Sequence, residues 1–121
     1  MFKNKKVLVT GGAGMIGREL VELLLEEGAN IYVADIKQPE DMKEKVTFKR
    51  VDLREFSSCL DICEGMDYVF NLVGIKCSPK VAIHEPAKIM GPMMQFNANM
   101  LEAAMKQNVK WYLYTSTVGV Y

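Results

Sequence analysis

Thr10-Gly-Gly-Ala-Gly-Met-Ile-Gly17 is the segment whose residue types and spacing most directly call for a ligand. It fits G-x-G-x-x-G through Gly12, Gly14 and Gly17, and T-G-x-x-G-x-x-G through Gly11, Gly14 and Gly17. A chain needs glycines there if it must turn sharply out of a strand, lay bare backbone against a pyrophosphate, and pack a helix close to the sheet. The helix opening at Met15 and Ile16 then aims free N–H groups and a partial positive charge at the anion. Asp35 follows Gly17 by 18 residues, at the end of the next apolar run, with Ile36 behind it. A carboxylate at that spacing accepts hydrogen bonds from both hydroxyls of an adenosine ribose. It also repels a 2′-phosphate, which points to NAD before NADP. Arg18 and Lys37 are nearby cations that act in the opposite sense.

Alternating strands and helices must position these groups. Lys6–Thr10 is a short β-branched and aliphatic run. Met15–Glu27 carries Ile16, Leu20, Leu23 and Leu24 at helical periodicity and ends before Gly28, the place of a C-terminal helix glycine. Ile31–Ala34 reads as a second strand, 37–45 as a charged loop, and Val46–Val51 as a third strand. Glu55–Cys63 reads as a short helix stopped near Gly65, and Tyr68–Val73 as a fourth strand. The stretch 74–92 is punctuated by Gly74, Pro79, Pro86, Gly91 and Pro92 and reads as loop. Met93–Gln107 reads as a helix with Pro92 near its start, and Lys110–Ser116 as a fifth strand. This alternation with continuous apolar strands predicts an α/β fold: a Rossmann-type doubly wound parallel sheet in the order 3-2-1-4-5.

Composition narrows the function. The 121 residues balance 15 Lys and Arg against 15 Asp and Glu, for a net charge of zero. That lacks the basic excess of a nucleic-acid binder. No apolar run approaches the roughly 20 residues of a membrane span. The N-terminal lysines lead into a strand and turn, not a signal peptide, so the expected compartment is the cytoplasm. Three cysteines, Cys59, Cys63 and Cys77, do not form an even disulfide framework. Cys59 and Cys63 share one helix face. With a single histidine, His84, they read as semi-buried structural thiols in preference to a metal or redox pair.

With these residues in view, the chain resembles the extended short-chain dehydrogenase/reductase family, the NAD-dependent epimerase/dehydratase group acting on nucleotide sugars. The resemblance spans nearly the whole chain but only the first portion of the family's usual length. Besides the glycine turn and Asp35, it rests on three segments. Val51-Asp-Leu-Arg54 follows the third strand. By resemblance Asp52 hydrogen-bonds the adenine amino group and Leu53 packs on the ring, while Asp52 also suits a cap for the helix that follows. Phe70-Asn-Leu-Val-Gly-Ile-Lys76 is similar to a Phe-Ala-Gly-Leu-Lys stretch of the family's 4-epimerases. Carried over, Leu72, Val73 and Gly74 lie along the ribose and pyrophosphate, and Lys76 reaches the cofactor. Val109–Tyr121 resembles the fifth strand with its S-[ST]-x-x-V-Y ending. That alignment puts Thr117 in the place of the catalytic Ser/Thr and Thr115 at a cofactor-contacting position.

Asn99-Met-Leu-Glu-Ala-Ala104 is like the family's N-V-L-E-A-A. Just upstream the chain departs, with Met93-Met-Gln-Phe-Asn97 where the family usually has Asn-x-x-Gly-Thr. The methionines of this stretch suit core or interface filling, and the resemblance implies a homodimer through this helix. The family's hydride transfer from a sugar carbon to nicotinamide uses a Tyr phenolate with a Lys four residues on. No Tyr-x-x-x-Lys exists in these 121 residues. The expectation is therefore an incomplete dinucleotide-binding domain over 1–121. It lacks the later strands and the substrate lobe and is inactive alone. Alternatives are a non-catalytic dinucleotide sensor, an NADPH-dependent reductase of the same family, and a flavodoxin-like domain, which leaves the glycine turn and Asp35 unexplained. The sugar and the reaction outcome are not legible in these residues.

Overall fold

The computed structural model describes residues 1–12, 14–36, 45–73 and 86–115, with 86–90, 92 and 93 described by backbone alone. Its elements are β1 (Lys6–Thr10), α1 (Met15–Glu26), β2 (Asn30–Asp35), β3 (Thr47–Arg50), α2 (Phe56–Cys63), β4 (Tyr68–Asn71), α3 (Pro86–Lys106) and β5 (Trp111–Tyr114). The strands form one parallel sheet in the order β3-β2-β1-β4-β5, as expected.

β1 lies at the centre, and Val7, Leu8, Val9 and Thr10 are wholly buried. This is why its sequence is continuously apolar and not alternating. Alternation decides only which core each residue joins. Val7 and Val9 pack with Val21 and Leu24 of α1 and with Ile31 and Val33 of β2. Leu8 faces the other way, onto Cys59 and Ile62 of α2 and Met100, Ala103 and Ala104 of α3. α1 buries Gly17, Val21 and Leu24, a single stripe at helical spacing.

Two helices end by one device. Gly28 has φ +82°. Its N–H donates to the Leu25 carbonyl (3.0 Å), and that of Ala29 donates to Leu24 (3.1 Å), a Schellman pair. Asn108, at φ +58°, ends α3 in the same way, with bonds from Asn108 to Met105 and from Val109 to Ala104.

Some expected boundaries move. β3 and β4 are shorter than the apolar runs suggested, although the Leu72 N–H still reaches the Thr10 carbonyl at 3.1 Å. The larger correction is α3, which begins at Pro86 and not at Met93. Pro86 sits in the first turn, where a missing N–H costs nothing. Pro92 forfeits one internal bond, a loss a long helix survives when Phe96, Met100, Ala103 and Ala104 pack it onto the sheet. Asp52 does not cap α2. The N-cap is Glu55 without a side-chain bond, and Asp52 instead accepts the Arg54 N–H at 3.0 Å, closing a turn of its own.

Cys59 and Cys63 are fully buried, more so than expected. The Cys59 thiol donates to the Leu53 carbonyl at 3.4 Å. Burial pushes Cys59 up to about 11 and Cys63 to about 12. Among the described residues no cluster of His, Cys, Asp or Glu could hold a metal ion, and no helix is long and apolar enough to cross a membrane.

Candidate functional site

Parallel strands in register deliver their carboxyl ends to one edge of the sheet. Thr10 pairs with Ala34 on one side and with Asn71 on the other, Asp35 with Arg50, and Asn71 with Tyr114. The segments leaving these ends therefore meet at one rim. They are the glycine turn, Ile36, Val51–Leu53, Leu72–Val73 and Thr115. The strand order reverses between β1 and β4, which is where ligands enter open α/β sheets.

The glycine turn is shaped mostly by the protein itself. Gly11 has φ +70° and donates its N–H to the Ala34 carbonyl at 3.0 Å. A Cβ there would lie 2.9 Å from the Leu72 carbonyl. At Gly12 it would meet Val33 Cγ1 at 2.8 Å, and at Gly17 it would strike the Gly11 oxygen at 2.4 Å. Gly14 differs. A Cβ there meets only the Gly11 oxygen, at 3.4 Å, an ordinary contact. Among the described residues, then, nothing crowds a Cβ at Gly14 as it does at the other three glycines of the turn. The same residue is the N-cap of α1, with no side-chain bond to the helix amides and no acidic residue in the first turn. Met15 and Ile16 stand exposed at that helix start.

Beside the turn is a cavity of about 130 Å³. Asp35, Ile36, Asp52, Leu53 and Val73 line it together with Ala34, Val51 and Phe96. Five residues singled out in the sequence, two from the spacing after the glycine turn and three from the family resemblance, thus share one cavity. Asp35 Oδ1 accepts the Ile36 N–H at 2.7 Å. Both oxygens of Asp52 accept from the Arg54 guanidinium, at 2.8–3.2 Å. That grip holds the Asp52 carboxyl below the usual carboxylate range.

Behind the rim lies a polar cluster built on two buried side chains, Thr10 and Asn71. The Thr10 hydroxyl donates to Asn71 Oδ1. Asn71 Nδ2 donates to Asn97 Oδ1 of α3 (3.0 Å) and to the Tyr112 hydroxyl of β5 (2.8 Å). Burial raises the Tyr112 hydroxyl above its ordinary value, against the lowering effect of the Asn71 bond. The Asn71 carbonyl accepts the Thr115 N–H at 3.3 Å. Asn71 therefore ties β1, β4, β5 and α3 together at the edge where Leu72 and Val73 leave the sheet.

These features coincide with a family match. The model of the NAD dependent epimerase/dehydratase family matches residues 7–121. The chain belongs to that family. A curated relative, the GDP-mannose 3,5-epimerase of Arabidopsis thaliana, is 32% identical over 98% of this chain. The chain spans only about a third (32%) of that relative's length. Among solved structures, Pen from Bacillus thuringiensis superposes with a TM-score of 0.86 at 26% identity, over 96% of this chain and 38% of its own. The UDP-glucose 4-epimerase of Thermotoga maritima, solved with UDP-glucose, gives 0.83 at 28% identity, over 94% of this chain and 38% of its own. The family is named for NAD, which makes a nicotinamide dinucleotide its cofactor class.

Among the residues expected at the site, Gly11, Gly12, Gly14, Met15, Ile16 and Gly17 form the turn. Leu72 and Thr115 sit on the same rim, and Gly74, Lys76 and Thr117 lie outside the described residues. The sequence reading missed Phe96, Asn71, Asn97 and Asn99. Asn71 carries a signal that could have found it: an amide closing an otherwise apolar central strand needs a buried partner.

Proposed function

We propose that the chain is the NAD-binding part of a nucleotide-sugar epimerase/dehydratase-type oxidoreductase, which moves hydride between a sugar carbon and nicotinamide. The observation that carries this reading is Gly14, bare although no described residue crowds a Cβ there, at a helix start without a side-chain cap, on the same rim as the cavity that Asp35 and Asp52 line. The backbone of Gly11, Gly12, Gly14, Met15, Ile16 and Gly17 takes the pyrophosphate. Asp35 takes the adenosine ribose. Ile36, Asp52 and Leu53 take the base. Leu72, Val73, Gly74, Lys76 and Thr115 run along the rest of the dinucleotide. When bound, the cofactor supplies the hydride acceptor. Thr117 orients the reacting sugar oxygen and stabilises its developing charge. The Tyr and Lys of the family's acid/base pair are not among these residues.

The finer assignments belong to the same proposal. The substrate is a nucleotide sugar, the reaction an epimerisation (isomerase) or a dehydration, and the compartment the cytoplasm. A homodimer forms through α3, whose Met94, Leu101 and Met105 are exposed on one stripe. NAD is preferred because the Asp35 carboxylate opposes a 2′-phosphate. Fluorescence titration of the chain with NADH and NADPH tests the reading. NADH is expected to bind at least tenfold more tightly. Tighter NADPH binding overturns the role of Asp35, and failure to bind either overturns the site.

A further inference from the structure

The cavity has one wall that neither the glycine turn nor the strand ends provide. Among the described residues, Phe96 of α3 is its only aromatic lining residue. It is half-buried and packs against the same core as Leu53, Val73 and Met100. Its place is unusual for the family resemblance. The run Met93–Asn97 stands where Asn-x-x-Gly-Thr is usual, so Phe96 falls on the glycine. A glycine offers no side chain to a ligand there, and this chain offers a ring.

The neighbours of Phe96 fix that ring relative to the rest of the cavity. One residue on, Asn97 is held by Asn71. Three residues on, Asn99 Nδ2 donates to the carbonyls of Leu53 (2.9 Å) and Arg54 (3.1 Å). α3 is thus clamped by amides both to the strand end that carries Leu72 and Val73 and to the turn that carries Asp52 and Leu53. The space between holds about 130 Å³, the share of roughly four waters at ~30 Å³ each in the liquid. Among the described residues its walls are aliphatic apart from Phe96 and the two carboxylates, Asp35 and Asp52. A small, mostly apolar slot with one aromatic wall and acceptors among its lining suits a flat heteroaromatic ring carrying an amino group.

We propose that Phe96 is a base-contacting residue of this chain, supplying an aromatic wall to the adenine ring from a helix position where the family usually carries glycine. The proposal rests on the cofactor reading above and adds to it a contact that the glycine turn and Asp35 do not imply. Packing of an aromatic ring on a base contributes enough that removing it weakens binding by about tenfold.

The test measures three ligands on the full chain and on F96A and F96L: NADH, AMP, which keeps the adenine half, and reduced nicotinamide mononucleotide, which lacks it. Circular dichroism establishes that each variant is folded, and F96L keeps most of the apolar volume if F96A does not fold. The expected result is a parallel loss of about tenfold for NADH and AMP in F96A, and about threefold in F96L, with the mononucleotide changed less than twofold. Unchanged AMP affinity in a folded variant, or an equal loss for all three ligands, overturns the contact while leaving the cofactor site standing. Failure of the unaltered chain to bind NADH or AMP overturns both.

Discussion

The turn between β1 and α1 and the polar cluster behind β4 stand side by side on one rim, yet they are held by opposite means. The turn is held by exclusion. At Gly11, Gly12 and Gly17 there is no space for one more carbon. The cluster is held by pairing. Thr10, Asn71, Asn97 and Tyr112 each meet a partner, and no buried side-chain polar atom among the described residues lacks one. Steric exclusion fails when something is added, and a hydrogen-bond cluster fails when something is removed. Gly14 differs from both: its backbone is paired, to the Gly11 carbonyl and the Arg18 N–H, yet among the described residues a Cβ there makes only an ordinary contact.

That contrast can be broken at several points. The largest effect is expected from Gly17→Val. A side chain 2.4 Å from a backbone oxygen forces the turn and α1 apart, at a cost of about 4 kcal/mol, beyond ordinary overpacking. Urea unfolding should show it, and a midpoint near that of the unaltered chain would mean the turn is soft. Asn71→Leu follows, at about 3 kcal/mol, because the buried Thr10 hydroxyl and the half-buried Tyr112 hydroxyl lose their common partner and the exposed Asn97 loses its tie to β4. Loss of under 1 kcal/mol would show that water or a rearranged Asn97 replaces it.

Gly14→Val sharpens the comparison from the other side. The melting temperature should stay within a few degrees, while NADH affinity falls at least a hundredfold, about 2.7 kcal/mol. Retained affinity would place the pyrophosphate elsewhere. The last effect is a pH dependence and belongs to the thiols. Cys59 and Cys63 are raised from an ordinary 9.0 to about 11 and about 12 in the folded chain, so the unfolded chain loses these protons first. Their contribution is complete below pH 9 and disappears as pH climbs through 11 and 12. Urea midpoints should decline above pH 9, and the decline should flatten in C59A/C63A. An unchanged slope in that variant would assign the decline to other groups.

Much of the fold was legible because its signals are local. The glycine turn, Asp35 and the apolar runs each carry their meaning within a few residues, and strand order follows from alternation and crossover handedness. The start of α3 was not legible, because Gly91 and Pro92 are read as punctuation while packing of Phe96 and Met100 decides the outcome. Asn71 and Asn97 lie far apart in the chain, and no spacing rule joins them. Phe96 needed the phase of α3, which its buried partners Met100, Ala103 and Ala104 set at intervals of three to four residues.

The sheet order has a consequence for how the molecule is joined. Val7 pairs with Ile31 across one helix but with Tyr68 across two helices and two strands. Bringing the second pair of ends together costs about 0.8 kcal/mol more in chain entropy than the first. The seam between β1 and β4, above which the glycine turn and the Leu72 carbonyl meet, is the more expensive join in the chain's own topology. A molecule that clasps its two halves there gains most from any ligand that bridges them.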